Sequence, residues 1–342
     1  MKKILILISL FIILIACKKN ENIKPIKIAI KDTLTVFSVK SYNTDFWDDV
    51  AYLFETEYNA KINYTFFSDA TILLDSLKNI YKTQNHFPDA VIGIDKYNEV
   101  LTSKDTLFID FKPYNYRYIR HRFMPRKHFY LTPFAYNYPV WYYNIDFGDF
   151  PKTLGVLQDH NFDDDVILFD PKKNFLGRDY MLWCLSVYRN IGIRRYWCGI
   201  KSSVHSFEDN FEKASVKFYS GEASVMLFPI INPYISDKDY FFATEGYYSS
   251  VFYAGIPKKA DFPEKSQQFI NFILNDDFQR KLFDKKIAIP ISDNVLNYVL
   301  ESFNPKKSGI NYYEKLKDRY IRNNKKTMNR LWKRTFKKRK RK

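Results

Sequence analysis

Strand-like segments alternate with amphipathic helical segments along the first third of this chain, and the alternation limits the fold more than any other feature. The predicted strands are 34–39, 61–67 and 90–94, and the predicted helices are 45–58, 70–81 and 97–101. Alternation of this kind produces a parallel sheet with helices on both faces. The sequence therefore predicts an α/β body over this part of the chain.

A second α/β body is predicted after an extended, aromatic segment at 129–143. Its strands are 166–169 and 223–228, and its helices are 175–189 and 208–219. Another extended segment, 249–256, precedes helices at 263–274 and 276–283, where the chain can return to the first body. Two lobes joined by two crossings enclose a cleft, and ligands of open α/β sheets bind at the carboxyl ends of the strands.

The expected domain boundaries follow from these crossings. Lobe one comprises 34–133 and 253–305, and lobe two comprises 134–252. The last segment, 306–342, is expected to form a C-terminal helix and a basic tail.

The N-terminus has the pattern of a secretory signal. Lys2 and Lys3 precede an apolar run at 4–16, and Cys17 follows a small residue, as in the lipobox that this segment resembles. A helix over 4–16 would extend only ~20 Å, less than the ~30 Å hydrocarbon core of a bilayer, so a transmembrane helix is disfavoured. We predict a signal peptide at 1–16, an acylated Cys17 with a tether at 17–33, and a membrane-anchored lipoprotein on the periplasmic or cell-surface side.

The formal net charge of +16 comes largely from one end of the chain. The segment 325–342 carries eleven Lys or Arg and no Asp or Glu. In an exported protein such a tail meets anionic lipid headgroups or keeps the chain solvated. Nucleic acid is therefore not an expected partner, and we expect a monomer.

Two cysteines remain beyond Cys17, and each follows a tryptophan. Cys184 and Cys198 are compatible with a disulfide in an oxidising compartment and equally with two buried free thiols. Neither has metal-ligand spacing with a histidine, so we expect no metal and no other cofactor.

Short motifs in a fixed order run through nearly the whole chain after the tether. They are Leu34 to Trp47, Ser68-Asp69 with Leu73-Leu74, Pro88 to Asp95, Pro133 to Tyr136 with Val140 to Asn144, Ile167 to Pro171, Trp183, Val187-Tyr188, Trp197, Gly221-Glu-Ala, Asn232-Pro-Tyr234, Glu245 to Tyr248, Gln268 to Phe272, and Asn329 to Trp332. This order resembles that of the periplasmic solute-binding proteins of ABC importers, and of their thiamine-binding family in particular. The resemblance implies a type II-like two-lobed fold, a small-molecule ligand and an ABC permease as partner.

The resemblance also implies candidate ligand contacts, with several departures from the family pattern. Tyr234 matches the position of a stacking tyrosine, Phe211 stands where the family has a cleft tryptophan, and a late tryptophan near Pro290 is replaced by aliphatic residues. The family's Tyr-Asp after the first strand becomes Val39-Lys40, and its Asp-Gly becomes Asp69-Ala70. These departures concern the ligand more than the fold.

A thiamine-like ligand is an aromatic cation, so its site needs flat aromatic faces and a carboxylate. Tyr234 and Tyr248 are the predicted stacking residues. Asp69 is the predicted carboxylate, although a helix N-cap is an equally good interpretation of Ser68-Asp69 before a helical run. Glu245 is a further candidate contact, with a solvated turn as the alternative.

Lysines near the expected cleft favour a ligand that carries a negatively charged group. Lys40 follows a predicted strand, and Lys172 and Lys173 precede a predicted helix, so together they favour a phosphate or carboxylate group. Solvated surface lysines are the alternative.

The sequence also bears on three functions other than transport of thiamine or a phosphorylated relative. The sequence contains no Gly-x-Ser-x-Gly, no His-Glu-x-x-His and no phosphate-binding glycine-rich loop, so it predicts no enzyme. A ferric-binding protein of the same fold would use tyrosine pairs such as Tyr142-Tyr143 or Tyr247-Tyr248. A surface lipoprotein that has lost its ligand is the third hypothesis.

Overall fold

The computed structural model describes residues 32–40, 44–83, 86–102, 104–144, 152–235, 238–307 and 309–336, all within one structural unit, Asp32–Lys342. Cys17, the predicted signal peptide and the tether up to residue 31 lie outside the described residues. In the segments that are described, no helix is long and apolar enough to cross a membrane.

The strands and helices are numbered along the chain. The strands are β1 (Asp32–Val39), β2 (Ala60–Phe67), β3 (Ala90–Asp95), β4 (Thr132–Asn137), β5 (Pro139–Tyr143), β6 (Val166–Phe169), β7 (Val204–Glu208), β8 (Val225–Pro229), β9 (Tyr240–Phe241), β10 (Ser250–Gly255) and β11 (Ile289–Pro290). The helices are α1 (Thr44–Tyr58), α2 (Ala70–Thr83), α3 (Lys96–Leu101), α4 (Lys104–Leu107), α5 (Phe175–Gly199), α6 (Phe211–Tyr219), α7 (Pro263–Phe272), α8 (Asp276–Asp284), α9 (Leu296–Ser302), α10 (Tyr312–Lys315) and α11 (Asp318–Phe336).

The first sheet has six strands in the order β11-β4-β10-β3-β1-β2. β1 is parallel to β2 and β3, whereas β10 is antiparallel to β3 and β4. Five of the six residues of β3 are buried, as expected for a strand with helices on both faces. The parallel part of this sheet places the carboxyl ends of β1, β2 and β3 at one edge.

The second sheet has five strands in the order β7-β6-β8-β5-β9. β6 is parallel to β7 and β8, and β5 is antiparallel to β8 and β9. Helices α5 and α6 begin shortly after the carboxyl ends of β6 and β7. Asn174 and Asn210 fix these starts, because each side chain accepts a hydrogen bond from a backbone N–H of the first helical turn.

Two segments join the sheets, as the two-lobed α/β prediction requires. The chain leaves the first sheet with β4, passes Tyr138 and enters the second sheet with β5; it returns over 242–249 into β10. The division into lobes at residues 134 and 252 stays a prediction, and the strand assignments favour placing it at 138 and 249.

The C-terminal helix α11 packs against elements of both lobes. Its Trp332 ring lies 5.1 Å from that of Trp197 on α5, and its Asp318 forms an ion pair of 2.9 Å with Lys96 on α3. The hydroxyl of Tyr97 accepts a hydrogen bond from Asn329. Helix α11 therefore links the two lobes.

One local prediction in the second lobe was wrong. The helix expected to begin at residue 208 begins at Phe211, because Glu208 ends the unpredicted edge strand β7 and Asn210 caps the helix. The helix predicted over 175–189 ends as expected at the non-helical residue Arg189, and an unpredicted second helical segment of α5 continues from there to Gly199. The structure also settles the cysteines as free thiols: Cys184 is buried, which raises its pKa to about 12, and Cys198 is exposed.

Candidate functional site

Two buried aspartates stand at the carboxyl ends of neighbouring strands in the first lobe. Asp69 follows β2, and its Oδ1 accepts a hydrogen bond of 2.8 Å from the N–H of Thr71. Asp95 ends β3, and its Oδ1 accepts a hydrogen bond of 3.1 Å from the N–H of Asn98. Each therefore caps a helix with Oδ1, and Oδ2 is open to a further partner, although Oδ2 of Asp95 also accepts a hydrogen bond of 2.8 Å from the side-chain amide of Asn98.

That partner is Arg178, which comes from the second lobe. One guanidinium nitrogen, Nη2, donates to Oδ2 of Asp69 and to Oδ2 of Asp95, each at 2.6 Å, and Nη1 donates to the carbonyl oxygen of Pro171 at 3.2 Å. All three charged residues are at most 3% exposed. The aspartates raise the pKa of Arg178 against the opposing effect of burial, so it stays charged. A buried ion triad thus crosses from lobe to lobe.

Gly177 allows the first turn of α5 to lie against the end of β6. A Cβ atom on this glycine would come within 2.4 Å of the carbonyl oxygen of Phe169. Arg178 is the next residue, so this close approach of helix and strand sets the position of its guanidinium relative to the cleft.

A third carboxyl group, that of Asp179, lies beside the triad and is fully buried. Neither of its oxygens has a partner at full hydrogen-bond geometry within the described residues, and the same holds for the hydroxyls of Tyr248 and Ser250, although the Ser250 hydroxyl is near enough to interact with the Asp179 carboxyl. Burial, and next the charge of Asp95, raise the pKa of Asp179 well above its usual value, although Ser250 and Arg178 oppose the shift. The raised pKa favours the protonated, neutral form of Asp179 in the folded protein.

Aromatic side chains form a wall around the first turn of α5. The Phe211 ring lies 5.0 Å from those of Phe169 and Phe228 and 5.8 Å from that of Phe175. Tyr234 meets Phe228 at 6.3 Å, edge to face. Across the cleft, the Phe175 ring lies 5.0 Å from Phe252 on β10. Phe175, Phe211, Tyr234 and Phe252 are only half-buried.

The structure brings several of the candidate residues to this region and separates others from it. Asp69 caps α2 and also faces the second lobe through Arg178, and Phe211 and Tyr234 belong to the aromatic wall. Lys40 is exposed at the same sheet edge, where its N–H donates to the carbonyl oxygen of Phe67. Lys172 and Lys173 are exposed at the start of the second-lobe helix.

Tyr248 and Glu245 have other surroundings. The Tyr248 side chain is wholly buried at the return crossing, so it presents no face for stacking in this arrangement. Both carboxylate oxygens of Glu245 accept backbone hydrogen bonds, from Leu154 at 3.1 Å and from Gly155 at 3.2 Å. The turn interpretation therefore describes Glu245 better than a ligand contact.

Replacing Glu245 by alanine should lower the free energy of unfolding by about 1 to 2 kcal/mol, because two backbone N–H groups lose their acceptor. Ligand affinity should not change. Urea denaturation measures the first quantity, and the exposed Glu301→Ala variant, within about 0.5 kcal/mol of wild type, is the control. A loss of ligand affinity at unchanged stability would instead place Glu245 in the binding site.

The first tyrosine pair expected for a ferric site, Tyr142-Tyr143, does not converge on one point. Tyr142 and Tyr143 are adjacent in β5, so their side chains point to opposite faces of the sheet. The Tyr142 hydroxyl is buried against the carbonyl oxygen of Ile230 and the amide of Asn232. In the described segments, no cluster of three His, Cys, Asp or Glu side chains is arranged to hold a metal ion.

Comparisons with known proteins agree with this architecture. No protein-family model matches the chain. The thiamine-binding periplasmic protein of Escherichia coli (strain K12) is 23% identical over 282 residues, which is 78% of this chain and 83% of that protein.

Solved structures resemble the chain over most of its length. A periplasmic thiamin binding protein has a TM-score of 0.78 at 20% identity, covering 90% of this chain and 96% of the other. A ferric binding protein from Campylobacter jejuni has a TM-score of 0.74 at 16% identity, covering 88% of this chain and 99% of the other. Likeness at this level of identity shows a shared fold.

Proposed function

We propose that this chain, which has the two-lobed fold of the periplasmic solute-binding proteins and is related in sequence to the thiamine-binding ones, binds a small ligand between its lobes and delivers it to an ABC importer. The observation that carries the proposal is the joint between the lobes. Charged groups from both lobes meet there beside half-buried aromatic rings, at the strand ends where α/β proteins bind ligands. The role places the chain outside the cytoplasm, and acylation of Cys17 as its membrane anchor belongs to the same proposal.

The charge at this joint supports an aromatic cation as the ligand. Asp69 and Asp95 carry two negative charges against the one positive charge of Arg178, and the raised pKa of Asp179 favours its neutral form. With Asp179 neutral, the cluster keeps one net negative charge in a dry environment. A singly charged aromatic ring, stacked on Tyr234 and Phe211, would balance it.

Thiamine or a phosphorylated relative fits this combination. Its positively charged ring system supplies the cation and the flat faces. Lys40, exposed at the same sheet edge as Asp69, is available to a phosphate group if the ligand carries one.

Isothermal titration with thiamine and with thiamine monophosphate tests the proposal. Tyr234→Ala should weaken binding by about 1 to 3 kcal/mol, because the ligand loses a stacking face. Tyr52→Ala, which removes a tyrosine that is 71% exposed on α1, should bind like wild type. Equal affinity of wild type and Tyr234→Ala would remove Tyr234 from the site.

The Lys40→Ala variant distinguishes the two ligands in the same titrations. It should bind the monophosphate more weakly by roughly 1 to 3 kcal/mol, since a charge-assisted hydrogen bond is lost, and thiamine as well as before or slightly better. No heat with either compound would leave the fold in place, make the ligand assignment wrong, and favour a surface lipoprotein that has lost its ligand.

A further inference from the structure

The exposed side of α11 carries a continuous row of cations. Arg319, Arg322, Lys326, Arg330 and Lys333 are all exposed and follow one another at intervals of three or four residues. That spacing places them on one face of a helix. The opposite face holds Ile321, Met328 and Trp332, which are buried against the rest of the protein.

None of these five cations pairs with an acidic side chain within the described part of the chain. Asp318, at the start of the helix, is already engaged by Lys96. The sequence continues beyond residue 336 with six more Lys or Arg in succession. A row of unneutralised charges that is held rigidly along a docked helix is an electrostatic surface for an anionic partner.

The neighbouring helix α5 adds a second, independent feature to this side of the protein. Past its non-helical residue Arg189, α5 exposes Ile191, Arg194 and Arg195, which share one helical face. Ile191 is 90% exposed, the most exposed of the large hydrophobic side chains that the structure describes. Because the Ile191 side chain is almost fully exposed among arginines, it buries little apolar area and contributes little to packing within the protein.

Contacts between α5 and α11 place the two helices side by side. The Arg189 guanidinium lies 5.7 Å from the ring centre of Tyr320, and the Trp197 and Trp332 rings are 5.1 Å apart. The two helices therefore run next to each other, and we give the name α5–α11 face to their exposed residues, the five cations of α11 with Ile191, Arg194 and Arg195.

We propose that the α5–α11 face docks on the surface of a membrane rich in anionic lipid, with the cations at the headgroups and Ile191 inserted between them. A lipid surface suits this face better than a folded protein does, because the charges form a long row along one helix and the single apolar side chain projects. Headgroups accept diffuse positive charge, and the interface below them accepts one aliphatic side chain. The inference is independent of the cleft ligand and of acylation at Cys17.

Vesicle co-sedimentation tests the docking. The chain from Lys18 onward, which contains the whole structural unit, lacks the apolar leader and the acylated cysteine. It should bind vesicles of equal parts phosphatidylcholine and phosphatidylglycerol, and bind phosphatidylcholine vesicles far more weakly. Added sodium chloride should release it, because salt screens exposed charges.

Charge-matched variants show whether the α5–α11 face is responsible. The triple variant Lys326→Gln, Arg330→Gln, Lys333→Gln should bind the anionic vesicles about a hundredfold more weakly, given ~1 kcal/mol per basic residue near the surface. The control Lys61→Gln, Lys82→Gln, Lys258→Gln removes the same charge at exposed positions in the first lobe and should bind within about threefold of wild type. Ile191→Ser should cost about five- to tenfold.

Three results would overturn the proposal. The first is equal binding to vesicles with and without phosphatidylglycerol. The second is equal loss of binding in the two triple variants, which would assign the effect to net charge alone. The third is no binding of the wild-type chain to anionic vesicles, which would leave an acidic protein surface as the partner of this face. Unchanged binding of Ile191→Ser would overturn the insertion.

Discussion

Replacing Arg178 by methionine should lower the free energy of unfolding by about 3 to 5 kcal/mol, the usual cost of removing one partner from a buried ion pair. Methionine fills much of the same volume, so the loss comes from charge. The substitution leaves Asp69 and Asp95, which share Nη2 of Arg178, buried with like charges and no cation between them.

Urea denaturation of the Arg178→Met variant measures this loss. Arg194→Met on the same helix changes an exposed arginine and should stay within about 0.5 kcal/mol of wild type. Adding Asp69→Asn and Asp95→Asn to Arg178→Met should recover part of the stability, because the uncompensated charges are then gone. A loss below about 1 kcal/mol for Arg178→Met alone would show that the triad is not a significant link between the lobes.

The triad also bears on how the cleft operates. Opening the lobes separates Arg178 from the two aspartates and exposes all three charges to water, so hydration offsets much of the lost attraction. A cationic ligand that enters the cleft meets aspartates already shared with an internal cation. Affinity for such a ligand therefore depends on how far the ligand can replace Arg178 as the partner of Asp69 and Asp95. A chain with a neutral residue at position 178 would offer both carboxylates to the ligand.

The first lobe was predicted well because its signals are local. β1, β2 and β3 each lie within two residues of the predicted strands, since short β-branched and apolar runs between helical segments identify strands without tertiary information. β7 was missed because it is a half-buried edge strand with a weak apolar pattern. The predicted end of the helix at Arg189 coincides with the kink in α5, and the helical segment after it was not predicted.

The site was predicted only in part. The helix cap at Asp69 and the places of Phe211 and Tyr234 follow from motifs next to strand ends, which sequence spacing reveals. Arg178 and Asp179 were missed, although two adjacent charges inside an apolar helical run are themselves a signal. Their roles depend on partners 109 and 83 residues away, Asp69 and Asp95, and spacing along a helix does not reveal such contacts.

Asp179→Asn should remove a pH dependence from the stability of the protein. The raised pKa of Asp179 means that the folded state keeps a proton which the unfolded chain releases above its ordinary pKa of ~4. The stability contributed by this proton is complete below pH ~4 and falls by about 1.4 kcal/mol per pH unit as the pH rises toward the folded-state pKa. Asparagine has the shape of the protonated acid and does not titrate.

The free energy of unfolding of wild type and of Asp179→Asn, measured by urea denaturation at intervals between pH 4 and pH 7, should therefore diverge in favour of the variant as the pH rises toward the folded-state pKa, by about 1.4 kcal/mol per pH unit. The groups that face Asp179 are Asp95, Arg178, Ser250 and Tyr248, and the substitution leaves each of them in place. Asp105→Asn, at an exposed position on α4, should follow the wild-type curve. Parallel curves for wild type and Asp179→Asn would mean that Asp179 is ionised in the folded protein, and the joint between the lobes would then carry two net negative charges and favour a ligand of higher positive charge.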